Sequence, residues 1–127
     1  MVAIAGDGAR AFTSDIGAGA VSAMDLVKGT LVRLVPVGPR VEGIAVAPDG
    51  STVWAGSNTN GAVSVIDTKT GAIVETLGGL FPPLPARDLG GWRTAIVCDP
   101  QGNAIHVIDV AARKQLWKLD GLGSPRG

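Results

Sequence analysis

Val63-Ser64-Val65-Ile66-Asp67 is the stretch from which the rest of the chain can be read. It is an apolar run closed by an aspartate, and it has two counterparts: Val21-Ser22-Ala23-Met24-Asp25 before it and Ile105-His106-Val107-Ile108-Asp109 after it. The closing aspartates Asp25, Asp67 and Asp109 are spaced by 42 residues both times. With that offset the first two units align without a gap. Ala3 and Ala5 fall on Ala45 and Ala47, Asp7-Gly8 on Asp49-Gly50, Gly19-Ala20-Val21-Ser22 on Gly61-Ala62-Val63-Ser64, and Gly29 on Gly71. A repeat that holds its register over a whole unit must be accounted for before any single segment is assigned.

The second unit is the cleanest. Gly43 to Ala47 reads as a short inner strand, and Pro48-Asp49-Gly50-Ser51 as a turn. Thr52 to Gly56, with Trp54, makes a second strand, and Ser57 to Gly61 closes a hairpin in which Asn60-Gly61 supplies the positive φ angles. Ala62 to Asp67 is the third strand, Thr68-Lys69-Thr70-Gly71 the next turn, and Ala72 to Leu77 the outer strand. Four short strands in a period near 40 residues are the measure of one β-propeller blade, and the long 3.6-periodic runs of helical repeats are missing. The expected fold is therefore all-β, a partial β-propeller of about three four-stranded antiparallel blades. Blade 1 is expected over residues 2–38, blade 2 over 41–79 and blade 3 over 80–120, with a tail at 121–127. The first unit enters at Val2, inside an inner strand, so an N-terminally truncated piece of a larger ring is expected; closed rings hold about four to eight blades.

Two motifs carry a resemblance to a known family. Gly43-Ile44-Ala45-Val46-Ala47-Pro48-Asp49-Gly50 and Val63-Ser64-Val65-Ile66-Asp67-Thr68-Lys69-Thr70-Gly71 resemble the repeat unit of the YVTN/YncE-type β-propellers. The resemblance spans nearly the whole chain through these motifs and their weaker copies. It implies a ring of about seven blades in periplasmic or surface proteins, and it is specific for fold and poor for function, because one scaffold serves many binding tasks.

The third unit departs from the pattern. Residues 80 to 93 carry an aberrant, loop-like segment, Leu80-Phe81-Pro82-Pro83-Leu84-Pro85-Ala86-Arg87-Asp88-Leu89-Gly90-Gly91-Trp92-Arg93, where an inner strand should stand. Two readings stay open: a shifted reading frame across Ala86 to Trp92, or an insertion-like loop on the face of the ring, where propellers often bind. On the second reading Trp92, Arg87 and Arg93 are the candidate contact residues. Arg113 replaces the turn glycine of Gly29 and Gly71, which predicts a changed turn type.

Composition narrows the chemistry. Of 127 residues, 19 are glycine and 8 proline, which suits turns; 11 basic and 11 acidic side chains cancel, so no electrostatic footprint for nucleic acid is expected. No apolar run reaches the roughly 20 residues of a membrane helix, and the start lacks the basic and apolar regions of an export signal, so the chain reads as soluble with its compartment open. The lone Cys98 cannot form an internal disulfide and reads as a small buried apolar residue. A single histidine, His106, is too few for a metal or haem site, and no Gly-x-Ser-x-Gly elbow presents a nucleophile. His106 reads as a strand residue with a local hydrogen bond. The three repeated aspartates read as structural caps of strand-end turns, since each belongs to its own blade. Trp54 and its counterpart Phe12 read as packing between blades, and Trp117 as a partly exposed outer-strand residue.

The expectation for function is a non-catalytic binding or scaffold segment with no cofactor and no metal, its partner a protein or small molecule. One alternative is a fragment of a propeller enzyme, of lyase or oxidoreductase type, whose site residues lie in other blades. Another is self-association through open blade edges, two chains making one six-blade ring.

Overall fold

Strands form on short apolar runs separated by turn residues such as Asp, Gly, Thr and Ser. The computed structural model describes residues 1–59, 61–78, 93–99, 102–112 and 114–125, and the backbone of 84–85. Its strands are β1 (Val2–Ile4), β2 (Arg10–Asp15), β3 (Ala20–Asp25), β4 (Thr30–Pro36), β5 (Val41–Val46), β6 (Thr52–Ser57), β7 (Ala62–Asp67), β8 (Ile73–Leu77), β9 (Leu84–Pro85), β10 (Thr94–Asp99), β11 (Ala104–Asp109) and β12 (Lys114–Leu119). They make three antiparallel four-stranded meanders, β1 to β4, β5 to β8 and β9 to β12, each in chain order. The chain is all-β, three consecutive propeller blades. No helix of the described residues is long and apolar enough to cross a membrane.

The 42-residue repeat governs details the sequence pattern leaves silent. A bulge interrupts the pairing of each third strand with its outer strand at the same place, between Ala23 and Met24, Val65 and Ile66, and Val107 and Ile108. Such a bulge sharpens local twist. The first turn is likewise repeated: the Gly8 N–H donates to the Ala5 carbonyl at 2.8 Å, and the Gly50 N–H to that of Ala47 at 2.7 Å.

Two observed strands differ from expectation by more than one end residue. The inner strand of blade 2 starts at Val41, because a bulge between Val41 and Gly43 lets pairing continue past the glycine. In blade 3 the segment expected to be loop-like contributes a two-residue strand, with Val97 opposite Pro85 and Cys98 opposite Leu84. Ile4 faces Ala11 in blade 1 and Val46 faces Val53 in blade 2. Carried on by one repeat, that register would set Ala86 opposite Val97, so β9 is slipped by one residue. Asn60, Arg113 and the rest of 80–92 lie outside the described residues.

Cores lie between blades. Phe12, Val21 and Val35 of blade 1 pack on Ile44, Val53, Ala55 and Ile66 of blade 2. Trp54, Val63 and Val65 of blade 2 pack on Val97 and Ile108 of blade 3. Each blade therefore has a leading face toward the blade before it and a trailing face toward the blade after it. Alternation along each strand assigns every residue to one of them.

Candidate functional site

The same turns that end the third strands fix the rim of the structure. The Asp25 carboxylate accepts the backbone N–H groups of Val27 and Lys28 at 3.0 and 2.9 Å, and that of Asp67 accepts those of Lys69 and Thr70 at 2.9 and 2.7 Å. Asp109 accepts the N–H of Ala112 at 2.7 Å. The backbone bond from Lys28 foremost holds Asp25 below the usual carboxylate range, and that from Thr70 does the same for Asp67. On the first turn of blade 2, the N–H and hydroxyl of Ser51 bind the Asp49 carboxylate at 2.9 and 2.7 Å and lower its pKa, the backbone bond foremost.

A cleft of about 300 Å³ opens on this rim between blades 2 and 3. Ala47, Pro48, Asp49, Ser51 and Thr52 line one side, and Val110 and Ala111 the other. The groove between blades 1 and 2 holds about 50 Å³, with Arg33 packed against Gly71 and donating to the Lys69 carbonyl at 3.4 Å. Arg93 is exposed beside the larger cleft, its carbonyl accepting the Val110 N–H at 3.2 Å. Arg87 and Trp92 lie outside the described residues. The cleft itself escapes sequence reasoning because Val110 and Ala111 carry no motif and meet Asp49 only through the packing of two blades.

A second polar set lies inside. Asp15, Ser57 and Asp99 share one repeat position, and Ser22, Ser64 and His106 another. In blade 1 the Ser22 hydroxyl donates to Asp15. In blade 3 His106 Nδ1 is 2.7 Å from Gln115 Oε1, while His106 Nε2 stands 3.6 Å from Asp99 Oδ2 with both side chains almost fully buried. Asp99 Oδ1 accepts the Gly102 N–H at 2.7 Å. The strand-end carboxylates Asp15 and Asp99 were legible as a repeat position two units apart, a signal the more regular Asp25 series obscures. Cys98 is buried, which pushes its thiol pKa up. Among the described residues no group of three His, Cys, Asp or Glu side chains is placed to hold a metal ion.

Three four-stranded meanders stacked face to face, with capped turns on a common rim, define a β-propeller segment. Solved structures agree. The chain is similar to Kuenenia stuttgartiensis hydrazine synthase at 24% identity and a TM-score of 0.87, over 94% of this chain and 35% of that one. It is also similar to U3-55K and to the WD40 repeats of RRP9, each at 15% identity and a TM-score of 0.82, over 94% of this chain and 38% of theirs. The chain thus spans little more than a third of the structures it matches, and at these identities the likeness is one of fold. No protein-family model matches the sequence, and no curated protein does.

Proposed function

We propose that these blades bind and do not catalyse, serving as a contact or scaffold segment of a larger propeller of the YVTN/YncE type, in the periplasm or at the cell surface. The observation that carries this reading is the rim cleft of about 300 Å³ between blades 2 and 3, within the size that takes a small ligand or a partner's side chain. Its walls are turn residues whose polar groups already hold the turns. His106, the one imidazole, is buried away from the cleft against Gln115. Balanced charge favours a protein or small molecule over nucleic acid. Arg93 beside the cleft extends the proposed contact surface.

The test is a fragment screen on the isotope-labelled chain, read by amide shift perturbation. Perturbations should concentrate at Asp49, Ser51, Thr52, Val110 and Ala111 and disappear in Ser51→Trp. Perturbations scattered over the surface, or unchanged by that substitution, would set the cleft aside.

A further inference from the structure

Blade 3 departs from the repeat at a buried polar position. Where blade 1 pairs Asp15 with Ser22 and blade 2 carries Ser57 and Ser64, blade 3 has Asp99 and His106, the one pair of the three in which both groups can be charged. His106 stands opposite Val97 on the leading face of blade 3, inside the seam with blade 2. Its Nδ1 lies 2.7 Å from Gln115 Oε1, an atom that can only accept, so Nδ1 holds a proton in every charge state of the ring. Nε2 is therefore the nitrogen that gains and loses one. It is buried with no hydrogen-bond partner among the described residues, and Asp99 Oδ2 is 3.6 Å away. A bare Nε2 turns its lone pair toward a carboxylate oxygen, whereas a protonated one turns an N–H and a positive charge toward it.

The carboxylate is tied in turn to the segment that leaves the blade after β12. Asp99 Oδ1 accepts the Gly102 N–H at 2.7 Å, and a Cβ on Gly102 would collide with that carboxylate. The next residue, Asn103, holds a left-handed φ of 51° at the repeat position of Gly19. Its carbonyl accepts the Leu122 N–H at 2.8 Å and its side-chain oxygen the Ser124 N–H at 3.0 Å. The Gly19 carbonyl likewise accepts the N–H groups of Val37 and Gly38 on the way from blade 1 to blade 2. Imidazole, carboxylate, hairpin turn and outgoing segment thus form one connected series, open only between Nε2 and Oδ2. Among the described residues, the other ionisable groups on the elements around His106 are Lys118, opposite it on β12 and paired with Asp120 at 2.7 Å; Glu75, on the facing side of blade 2; and Cys98, which alternation places on the other face of β10.

We propose that His106 and Asp99 form a proton-operated clasp on the outgoing segment of blade 3. With Nε2 protonated and Asp99 ionised, the imidazolium closes on the carboxylate and the turn grips Leu122 and Ser124. With Nε2 bare, the grip slackens. Burial opposes a lone charge in the seam, and the two opposite charges satisfy each other there. Mild acid therefore tightens the segment, and stronger acid releases it again once the carboxylate itself takes a proton. The inference needs the blade 3 hairpin alone and is independent of the rim cleft.

Solvent-exchange rates of the Gly102, Leu122 and Ser124 amides in the intact chain, normalised to the intrinsic rate at each pH, read the clasp. From about pH 7.5 to about pH 5.5 their protection should rise by roughly tenfold, the order of one charge-assisted hydrogen bond, while that of Val37 and Gly38 stays constant. Nitrogen-15 shifts of the ring should show Nδ1 protonated throughout and Nε2 gaining its proton over the same span. His106→Ser, which installs the pairing of blade 1, should keep the fold and abolish the rise. Asp99→Ser, with the residue of blade 2, serves the same purpose should the first variant lose its far-ultraviolet β signal. Wild-type protection that does not change with pH, a rise that survives either substitution, or a neutral ring protonated at Nε2 and bare at Nδ1 would each overturn the proposal.

Discussion

Asp67 shows how one side chain can be both a landmark in the sequence and a fastener in the structure. Its carboxylate takes the N–H groups of Lys69 and Thr70 and the Thr70 hydroxyl, and the resulting pKa is lower than the ordinary value of 3.8. A carboxylate whose folded pKa lies below its unfolded one stabilises fully above the unfolded value and loses that contribution as pH falls through the folded one. The urea midpoint of the chain is therefore expected to fall below about pH 4. Asp67→Asn should lower the midpoint at pH 7 and flatten this acid limb; an unchanged acid limb would remove Asp67 from the account. Two glycines separate backbone strain from crowding. Gly19 and Gly29 both have positive φ, 63° and 65°, but a Cβ on Gly19 would meet the Gly38 carbonyl oxygen at 2.7 Å, whereas one on Gly29 would meet nothing within 4 Å. Gly29→Ala should cost about 1 kcal/mol, the price of left-handed backbone alone. Gly19→Ala should cost more, roughly 2–3 kcal/mol or above, as the β3–β4 end has to shift. Chemical denaturation of the two variants side by side measures the difference.

At the scale of strands and sheets, the energetic unit is the seam between blades. Trp54 sits 3% exposed in the seam of blades 2 and 3 with Val63, Val65, Val97 and Ile108, and its indole N–H is 3.3 Å from the Thr52 hydroxyl. Trp54→Ala should cost about 3–5 kcal/mol, the range for deleting a large buried aromatic. Trp117→Ala, on an outer strand with half its surface in water, should cost the monomer under about 1 kcal/mol. Thermal or urea unfolding of both would show whether position in the seam, and not indole size, sets the loss. The strands of blade 2 were legible in the sequence because each apolar run is short and is followed by turn residues. The bulges after Ala23, Val65 and Val107 were not, since a bulge depends on how a twisted outer strand meets its neighbour and leaves no composition behind. The slip of β9 was half legible: the sequence shows alternation lost near Pro85, and the pairing shows which register took its place.

For the whole molecule, the repeat explains why faces and rims behave differently. Faces carry the apolar residues and mate blade to blade, so their partners can be inferred from the repeat itself. Rims bring turns of neighbouring blades together, so a site there arises from juxtaposition; the cleft of Asp49 and Val110 joins residues about 60 positions apart that nothing in the sequence couples. His106 was legible as a strand residue, while its neighbours, the buried Asp99 and the exposed Gln115, emerge only when β10, β11 and β12 are laid side by side. All of this rests on three sheets stacked in one repeating sense. Methyl and aromatic proton contacts in the labelled chain test it most directly. Contacts should link Phe12 and Val21 with the Ile44, Val53 and Ile66 group, and Trp54 and Val63 with the Val97 and Ile108 group. Intact pairing within each sheet without those two sets of contacts between sheets would contradict the account.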